Sequence, residues 1–322
     1  MSLEPSRLLV SQEFDAVNAL ILDTIQPHIG LIDELSNHIV QSGGKRLRPL
    51  IVLLVSKACG YQGQLHIPLA ALIEFIHTAT LLHDDVVDES TLRRGQQTAN
   101  SIWGDKASIL VGDFLFTQSM QLAIEVGDME IIKIITETSL KIISGEVKQL
   151  SNRHNPHLSF EDYFEIIRSK TALLFAAAAQ IAAQVSGVSP SVQQSLYTYG
   201  LHLGNAFQLA DDILDYCADA LVLGKNIGDD LADGKATMPL IYAFQQGSAK
   251  QKLQIKTSLT QGNLDCLPDI LKTIEDTKAI DYSKGIAQEE IDKAVSALNC
   301  LPDSDYKQAL KDLATFALQR NH

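Results

Sequence analysis

The chain has 322 residues, 46% of them hydrophobic and 20% charged, with a formal net charge of −13. This is a globular composition, long enough for a large core. The acid excess repels nucleic acid and anionic lipid, so neither is an expected partner, and any knot of Lys and Arg needs a specific reason. Cys59, Cys217, Cys266 and Cys300 share no CxxC spacing, which fits reduced, buried thiols better than a disulfide frame or a zinc site. The first residues lack the basic-then-apolar pattern of a secretory leader, so a cytoplasmic location is expected.

Apolar residues recurring at helical spacing predict helices, in chain order, over about 11–25, 30–41, 46–59, 66–89, 106–127, 129–150, 160–168, 170–186, 191–218, 236–247, 249–261, 264–278, 280–298 and 303–319. Turn chemistry separates them at Gly43-Gly44, Gly60 to Gly63, Arg94-Gly95, Asn155-Pro156, Gly187 to Pro190 and Gly224 to Gly234. Strand-like alternation is nearly absent. With no internal repeat or long linker, the reading is an all-α, single-domain helical bundle over residues 1–322. Residues 67–87 are apolar nearly all round, as in a central helix with neighbours on every side. Residues 171–183, TALLFAAAAQIAA, are small enough to admit another helix closely or to leave room for a cavity; plain core packing explains them as well. Thr171 to Ala210 contains no Asp, Glu, Lys or Arg. Its strongly apolar part is shorter than the roughly 20 residues of a span, so buried helix, turn and buried helix are expected rather than a membrane crossing.

Asp84-Asp85-Val86-Val87-Asp88 ends the first central helix and Asp211-Asp212-Ile213-Leu214-Asp215 ends a later one. In each Asp-Asp-x-x-Asp, the outer two carboxylates share a helix face and the middle one points about 100° away. Adjacent carboxylates beside an apolar run repel each other and call for a cation. Magnesium, which takes a few carboxylates and completes its shell with water and substrate phosphate, suits such sparse oxygen ligands better than zinc or calcium. The alternative is a solvated acidic helix end. One such motif arises by chance in this composition with probability on the order of a tenth, and two with about a hundredth.

Basic residues gather beside these motifs in an otherwise acidic protein. Lys45, Arg46 and Arg48 follow a Gly-Gly turn, Arg93-Arg94-Gly95 follows the first Asp motif, and Ser169-Lys170-Thr171 precedes the Ala-rich helix. Lys225 and Lys235 flank the acidic loop GKNIGDDLADGK after the second motif. Each alone reads as a surface cluster. Together with metal-binding carboxylates they imply a polyanion, and diphosphate fits.

In order and spacing, GGKRLRP, LLHDDVVDES followed by RRG, SKTA, FQLADDILD and GKNIGDDLADGK resemble the trans-isoprenyl diphosphate synthases, from about residue 40 to 240, and most of all their long-chain bacterial members. The resemblance implies an isoprenoid synthase-like helical bundle around a cavity. It implies an enzyme that adds isopentenyl diphosphate to an allylic diphosphate such as farnesyl diphosphate, with an octaprenyl product for quinone side chains as the expectation. Asp84, Asp85, Asp88 and Asp211 are implied as magnesium ligands, with Asp212 and Asp215 completing the second motif; about three ions are expected with allylic diphosphate bound. Arg93, Lys170, Thr171, Gln208, Lys225 and Lys235 are implied as allylic-diphosphate contacts, Lys170 and Lys225 among the catalytic set. Lys45, Arg48, His77 and Arg94 are implied for the isopentenyl site, and a homodimer is the family's habit.

Such chemistry needs cations to neutralise the departing diphosphate and apolar walls to keep water from the allylic cation. Diphosphate itself is the expected base, so His77 and His83 need no such role. Ile76, Ala79 and Thr80 lie one to two turns before Asp84; small residues there would let a growing tail pass toward Phe116, Met120 and Ala123 on the 106–127 helix. Three rivals remain: a shorter-chain synthase, a terpene cyclase, which would not use isopentenyl diphosphate, and a non-catalytic subunit, in which the Asp motifs would be eroded.

Overall fold

The helical periodicity of the sequence becomes helix along almost the whole chain. A computed structural model describes residues 3–25, 30–41, 45–93, 95–217 and 227–318; Arg94, Lys225, the Gly43-Gly44 turn and the end from Arg320 to His322 lie outside them. The helices are α1 Glu4–Leu8, α2 Ser11–Ile25, α3 Gly30–Gln41, α4 Leu47–Ala58, α5 His66–Val87, α6 Ala99–Trp103, α7 Asp105–Val126, α8 Met129–Ser151, α9 Phe160–Ile167, α10 Leu173–Val185 and α11 Pro190–Leu214. They continue with α12 Asp229–Ala232, α13 Met238–Gln246, α14 Ala249–Gln261, α15 Leu267–Asp276, α16 Ala279–Ala297 and α17 Asp305–Leu318. The fold class is all-α, as expected.

Local chemistry accounts for many of the ends. Ser159 caps α9 by accepting from the Asp162 amide at 3.0 Å. Ser248 and Gln251 form a capping box at α14. Pro190 opens α11, where a missing amide proton costs nothing.

Two departures from the sequence reading bear on function. Arg93 belongs to a two-residue hairpin, β1 Leu92–Arg93 paired antiparallel with β2 Gln96–Gln97; strands this short carry no alternation to read. The segments predicted as separate helices over 160–168 and 170–186 are one continuous helix, because a π-helical turn, Arg168–Ala172, joins α9 to α10. The joined helix, Phe160–Val185, and α7 are both long and apolar enough to cross a membrane by length and composition. The joined helix reaches that length by including α9, upstream of the charge-free run that starts at Thr171. Burial decides instead, since 78% of the apolar window of Phe160–Val185 is buried within the protein, the mark of a core helix.

The chain falls into two compact units, one of residues 1–138, 174–200 and 297–313, the other of 139–173, 201–296 and 314–322. In the first, α5 packs against α2, α4, α6 and α7, most extensively against α7. Leu69, Leu72, Ile73, Ile76 and Ala79 are buried in it, so the all-round apolar helix is central, as its sequence predicts. In the second, Leu158, Tyr163, Ile166, Ile167, Leu209, Met238, Ile241 and Ala287 form one core cluster, placing α9 against the end of α11 that carries the second Asp motif.

The Ala-rich stretch serves close helix packing. A Cβ on Gly204 of α11 would fall 2.4 Å from the Ala172 Cα, and one on Gly200 would fall 2.4 Å from the Phe175 carbonyl oxygen. No side chain fits in either gap. Further along the second unit, Glu290 of α16 accepts from the His202 ring at 2.7 Å and from Asn205 at 2.8 Å, both on α11, and from Lys293 at 2.8 Å.

Burial alone would raise the Glu290 carboxyl, but the hydrogen bonds from His202, Lys293 and Asn205 outweigh it and bring the pKa down to about 2. A depressed carboxyl pKa stabilises the fold above its ordinary range, and that stability is lost as pH falls toward 2. The gap amounts to roughly 3 kcal/mol. Thermal unfolding against pH should therefore show Glu290→Gln well below wild type at neutral pH, with the difference closing below about pH 4.5. A pH-independent difference between the two would show that the network does not hold α16 to α11.

Candidate active site

A carboxylate at the end of an apolar helix loses hydration and needs a partner. In the first motif the middle residue, Asp85, is only 4% exposed. Arg93 reaches it from the hairpin: its Nε donates to Oδ1 at 3.0 Å and to Oδ2 at 3.2 Å, and its Nη2 donates to Oδ1 at 2.8 Å. A planar guanidinium fork is the geometry that answers a carboxylate best. The segment is tied down further by Asn100, which donates to the Asp85 carbonyl at 3.2 Å, and by the Ser90 amide, which donates to it at 2.9 Å. Asp84 and Asp88 are half-buried on the outer face of the turn, with the Asp88 amide closing on the Asp84 carbonyl at 2.8 Å. The His83 Nε2 lies 3.2 Å from the Ile109 carbonyl and 3.4 Å from Asp113, both on α7, the contacts of a packing histidine.

In the second motif the middle residue, Asp212, is met by neutral donors among the described residues. Asp212 is 3% exposed and accepts from the Tyr163 hydroxyl at 2.5 Å on Oδ2 and from Gln208 Nε2 at 2.9 Å on Oδ1. Gln208 in turn accepts from the Thr171 hydroxyl at 2.8 Å. Burial first, and then Asp230, push the Asp212 pKa up to about 8, against the opposing hydrogen bonds from Tyr163 and Gln208; Asp211 adds to the rise. Asp215 is buried and anchors the following loop: its Oδ2 accepts from the Asp230 amide at 3.3 Å and its carbonyl from the Gly228 amide at 3.0 Å.

The basic residues fall in several places. Arg48 on α4 stacks its guanidinium over Phe175, 4.3 Å from the ring centroid. Lys45 lies three residues earlier, and Arg46, with a left-handed φ of 41°, turns the chain into α4. Lys170 sits on the π turn and donates to Glu146 at 2.9 Å and Gln149 at 3.0 Å on α8. That approach requires Gly145, where a Cβ would come 2.4 Å from the Ser169 Cβ. Lys235 donates to Asp233 at 2.9 Å through its ammonium and to the Asp230 carbonyl at 2.8 Å through its amide. His77 is on α5, and its carbonyl accepts from the Thr80 hydroxyl at 2.8 Å. Ile76 and Ala79 are buried on α5 and Ala123 on α7, while Thr80, Phe116 and Met120 are half-buried. Arg94 and Lys225 lie outside the described residues.

Sequence reasoning passed over Tyr163 and the π turn entirely. Tyr163 lies 49 positions from Asp212 and reads locally as one more apolar contact of an amphipathic helix. Among the described residues no group of three or more His, Cys, Asp or Glu side chains could enclose a metal ion. The donors at both motifs are carboxylate oxygens, which fits magnesium completing its shell with water and phosphate oxygens better than a closed zinc or calcium cage.

The polyprenyl synthetase family profile matches residues 30–274. Octaprenyl diphosphate synthase of Escherichia coli (strain K12) is 46% identical over 322 residues, covering 100% of both chains. The all-trans-nonaprenyl-diphosphate synthase (geranyl-diphosphate specific) of Rhodobacter capsulatus is 43% identical over 97% of this chain and 96% of its own. A solved polyprenyl synthase from Caulobacter crescentus CB15, complexed with calcium and isoprenyl diphosphate, superposes with a TM-score of 0.95 at 41% identity, covering 100% of this chain and 98% of that one. With paired aspartate motifs, a matching fold and full-length relatives of this kind, the chain belongs to the polyprenyl synthetase family, the generally magnesium-dependent trans-prenyltransferases, and to its long-chain branch.

Proposed function

We propose that the protein condenses isopentenyl diphosphate units onto farnesyl diphosphate, in the cytoplasm, to make octaprenyl diphosphate for quinone side chains. The observation that carries this is the intact pair of Asp motifs in a chain 46% identical over its whole length to an octaprenyl diphosphate synthase. Both units act as one polyprenyl synthase domain in this reading.

Asp84, Asp88, Asp211 and Asp215 would hold magnesium, about three ions with the allylic diphosphate bound. Bound there, magnesium neutralises the charge that builds on the departing diphosphate. Asp85 and Asp212, already engaged by Arg93 and by Tyr163 with Gln208, hold their neighbours in place rather than reaching the metal first. Arg93, Lys170, Thr171, Gln208, Lys225 and Lys235 bind the allylic diphosphate, with Lys170 and Lys225 stabilising it as it leaves. Lys45, Arg48, His77 and Arg94 bind isopentenyl diphosphate. Apolar helix walls exclude water from the cationic intermediate. The tail then grows past Thr80, Ala79 and Ile76 toward Phe116, Met120 and Ala123.

A second copy of the chain is the proposed partner. Leu140, Ile143, Val147 and Leu150 on α8 are all exposed and recur at helical spacing, an apolar stripe that water does not favour. The homodimer known in the family would cover it.

Three measurements test this reading. Mass analysis of products from labelled isopentenyl diphosphate and farnesyl diphosphate should give an octaprenyl product, lost in excess chelator and restored by magnesium. Product formed from the allylic substrate alone would point to a cyclase, and no turnover at all to a non-catalytic subunit. In the second, Ala79→Tyr should keep isopentenyl consumption but release much shorter products. Overpacking there costs about 1–3 kcal/mol, so circular dichroism comes first. An unchanged product from a folded, active variant would falsify the tunnel along α5. In the third, sedimentation should find wild type as a dimer and Val147→Glu shifted toward monomer; a monomeric wild type removes the dimer from the proposal.

A further inference from the structure

Two side chains eight positions apart on one helix meet the same pair of residues on another. Tyr163 donates to Asp212 and Thr171 donates to Gln208, while Gln208 itself donates to Asp212. In an uninterrupted α-helix, eight residues turn through about 800°, which would leave the two side chains about 80° apart. The π-helical turn Arg168–Ala172 accommodates one extra residue. The same span then turns through about 700°, and the two side chains come within about 20° of each other. Their partners Gln208 and Asp212 are four apart on α11, stacked on one face. The π turn thus aligns α9 and the start of α10 with the second Asp motif.

Both oxygens of Asp212 are taken, Oδ2 by Tyr163 at 2.5 Å and Oδ1 by Gln208 at 2.9 Å. With a donor on each oxygen the carboxylate plane is fixed, and with it the side chain of Gln208 and the hydroxyl of Thr171. The neighbouring Asp211 shares the same helical turn. We propose that Tyr163, brought into line by the π turn, is a positioning residue for the allylic diphosphate and its magnesium, a role that rests on the prenyltransferase reading above. The ring of Tyr163 also belongs to the apolar core cluster. A purely structural role would therefore reside in the ring, and a positioning role in the hydroxyl.

Tyr163→Phe keeps the ring and removes the hydroxyl, in the full-length chain. The expected result is a Michaelis constant for farnesyl diphosphate and a half-saturating magnesium concentration each raised roughly tenfold, the scale of one buried hydrogen bond to a charged group. The constant for isopentenyl diphosphate should stay within about twofold, because its proposed contacts are elsewhere. Calorimetry with inorganic diphosphate and magnesium should show the same weakening without turnover. If Tyr163→Phe does not fold, Thr171→Val breaks the other end of the chain of hydrogen bonds and should give the same split. Unchanged constants, or equal losses for both substrates accompanied by a lower melting temperature, would overturn the proposal. Should the wild type itself fail to consume isopentenyl diphosphate, the functional reading fails on its own, and the calorimetric comparison still decides the role of Tyr163.

Discussion

Acid at the end of an apolar helix is the constraint around which this protein is organised. A carboxylate that loses water must gain a partner or a proton. The two motifs share a sequence but meet that demand differently. Asp85 gains a guanidinium fork from Arg93; among the described residues, Asp212 gains the neutral donors Tyr163 and Gln208 and stays under the influence of Asp230 and Asp211. The middle aspartate of the first motif is therefore met by a cation, and that of the second by neutral donors.

Meeting these demands shapes the nearby structure. The short hairpin of β1 and β2 carries Arg93 back to Asp85. The π turn brings Thr171 into line with Gln208 and presents Lys170 to Glu146 and Gln149. Glycines permit the approaches: Gly145 lets α8 meet the π turn, and Gly204 lets α11 meet Ala172. Glu290 then fastens α11 to α16 about two turns before the motif. Rigid helices held at this spacing are the kind of support that electrostatic catalysis needs, since donors and carboxylates already in place cost no reorganisation when charge moves.

The helices themselves were legible because their signals are local. Apolar spacing, a Pro at a first turn or a Gly past a last one acts within a few residues, and α2, α8, α11 and α14 begin and end close to where those signals stand. The paired Asp motifs were equally plain, as were the basic residues beside them. Less visible was anything that depends on a partner distant in sequence. Tyr163 looks like one apolar contact among many until Asp212, 49 positions on, is seen against it. Arg93, read as a substrate contact, is already engaged by a carboxylate. The 160–168 and 170–186 segments read as separate helices, because a single extra residue in a helical turn leaves no mark in composition.

By itself, then, the sequence determined the helical class, the central place of α5, and the positions of the six aspartates, since each follows from side-chain spacing along one segment. Only the tertiary structure decided which partner each middle aspartate meets, a guanidinium at Asp85 and neutral donors at Asp212. It decided too that the longest apolar helix is core and not membrane span, because 78% of its apolar window is covered by the rest of the protein. Both outcomes depend on what surrounds a side chain in space. Hydration, charge compensation and burial are set by neighbours, and those neighbours come from parts of the chain that no local pattern connects.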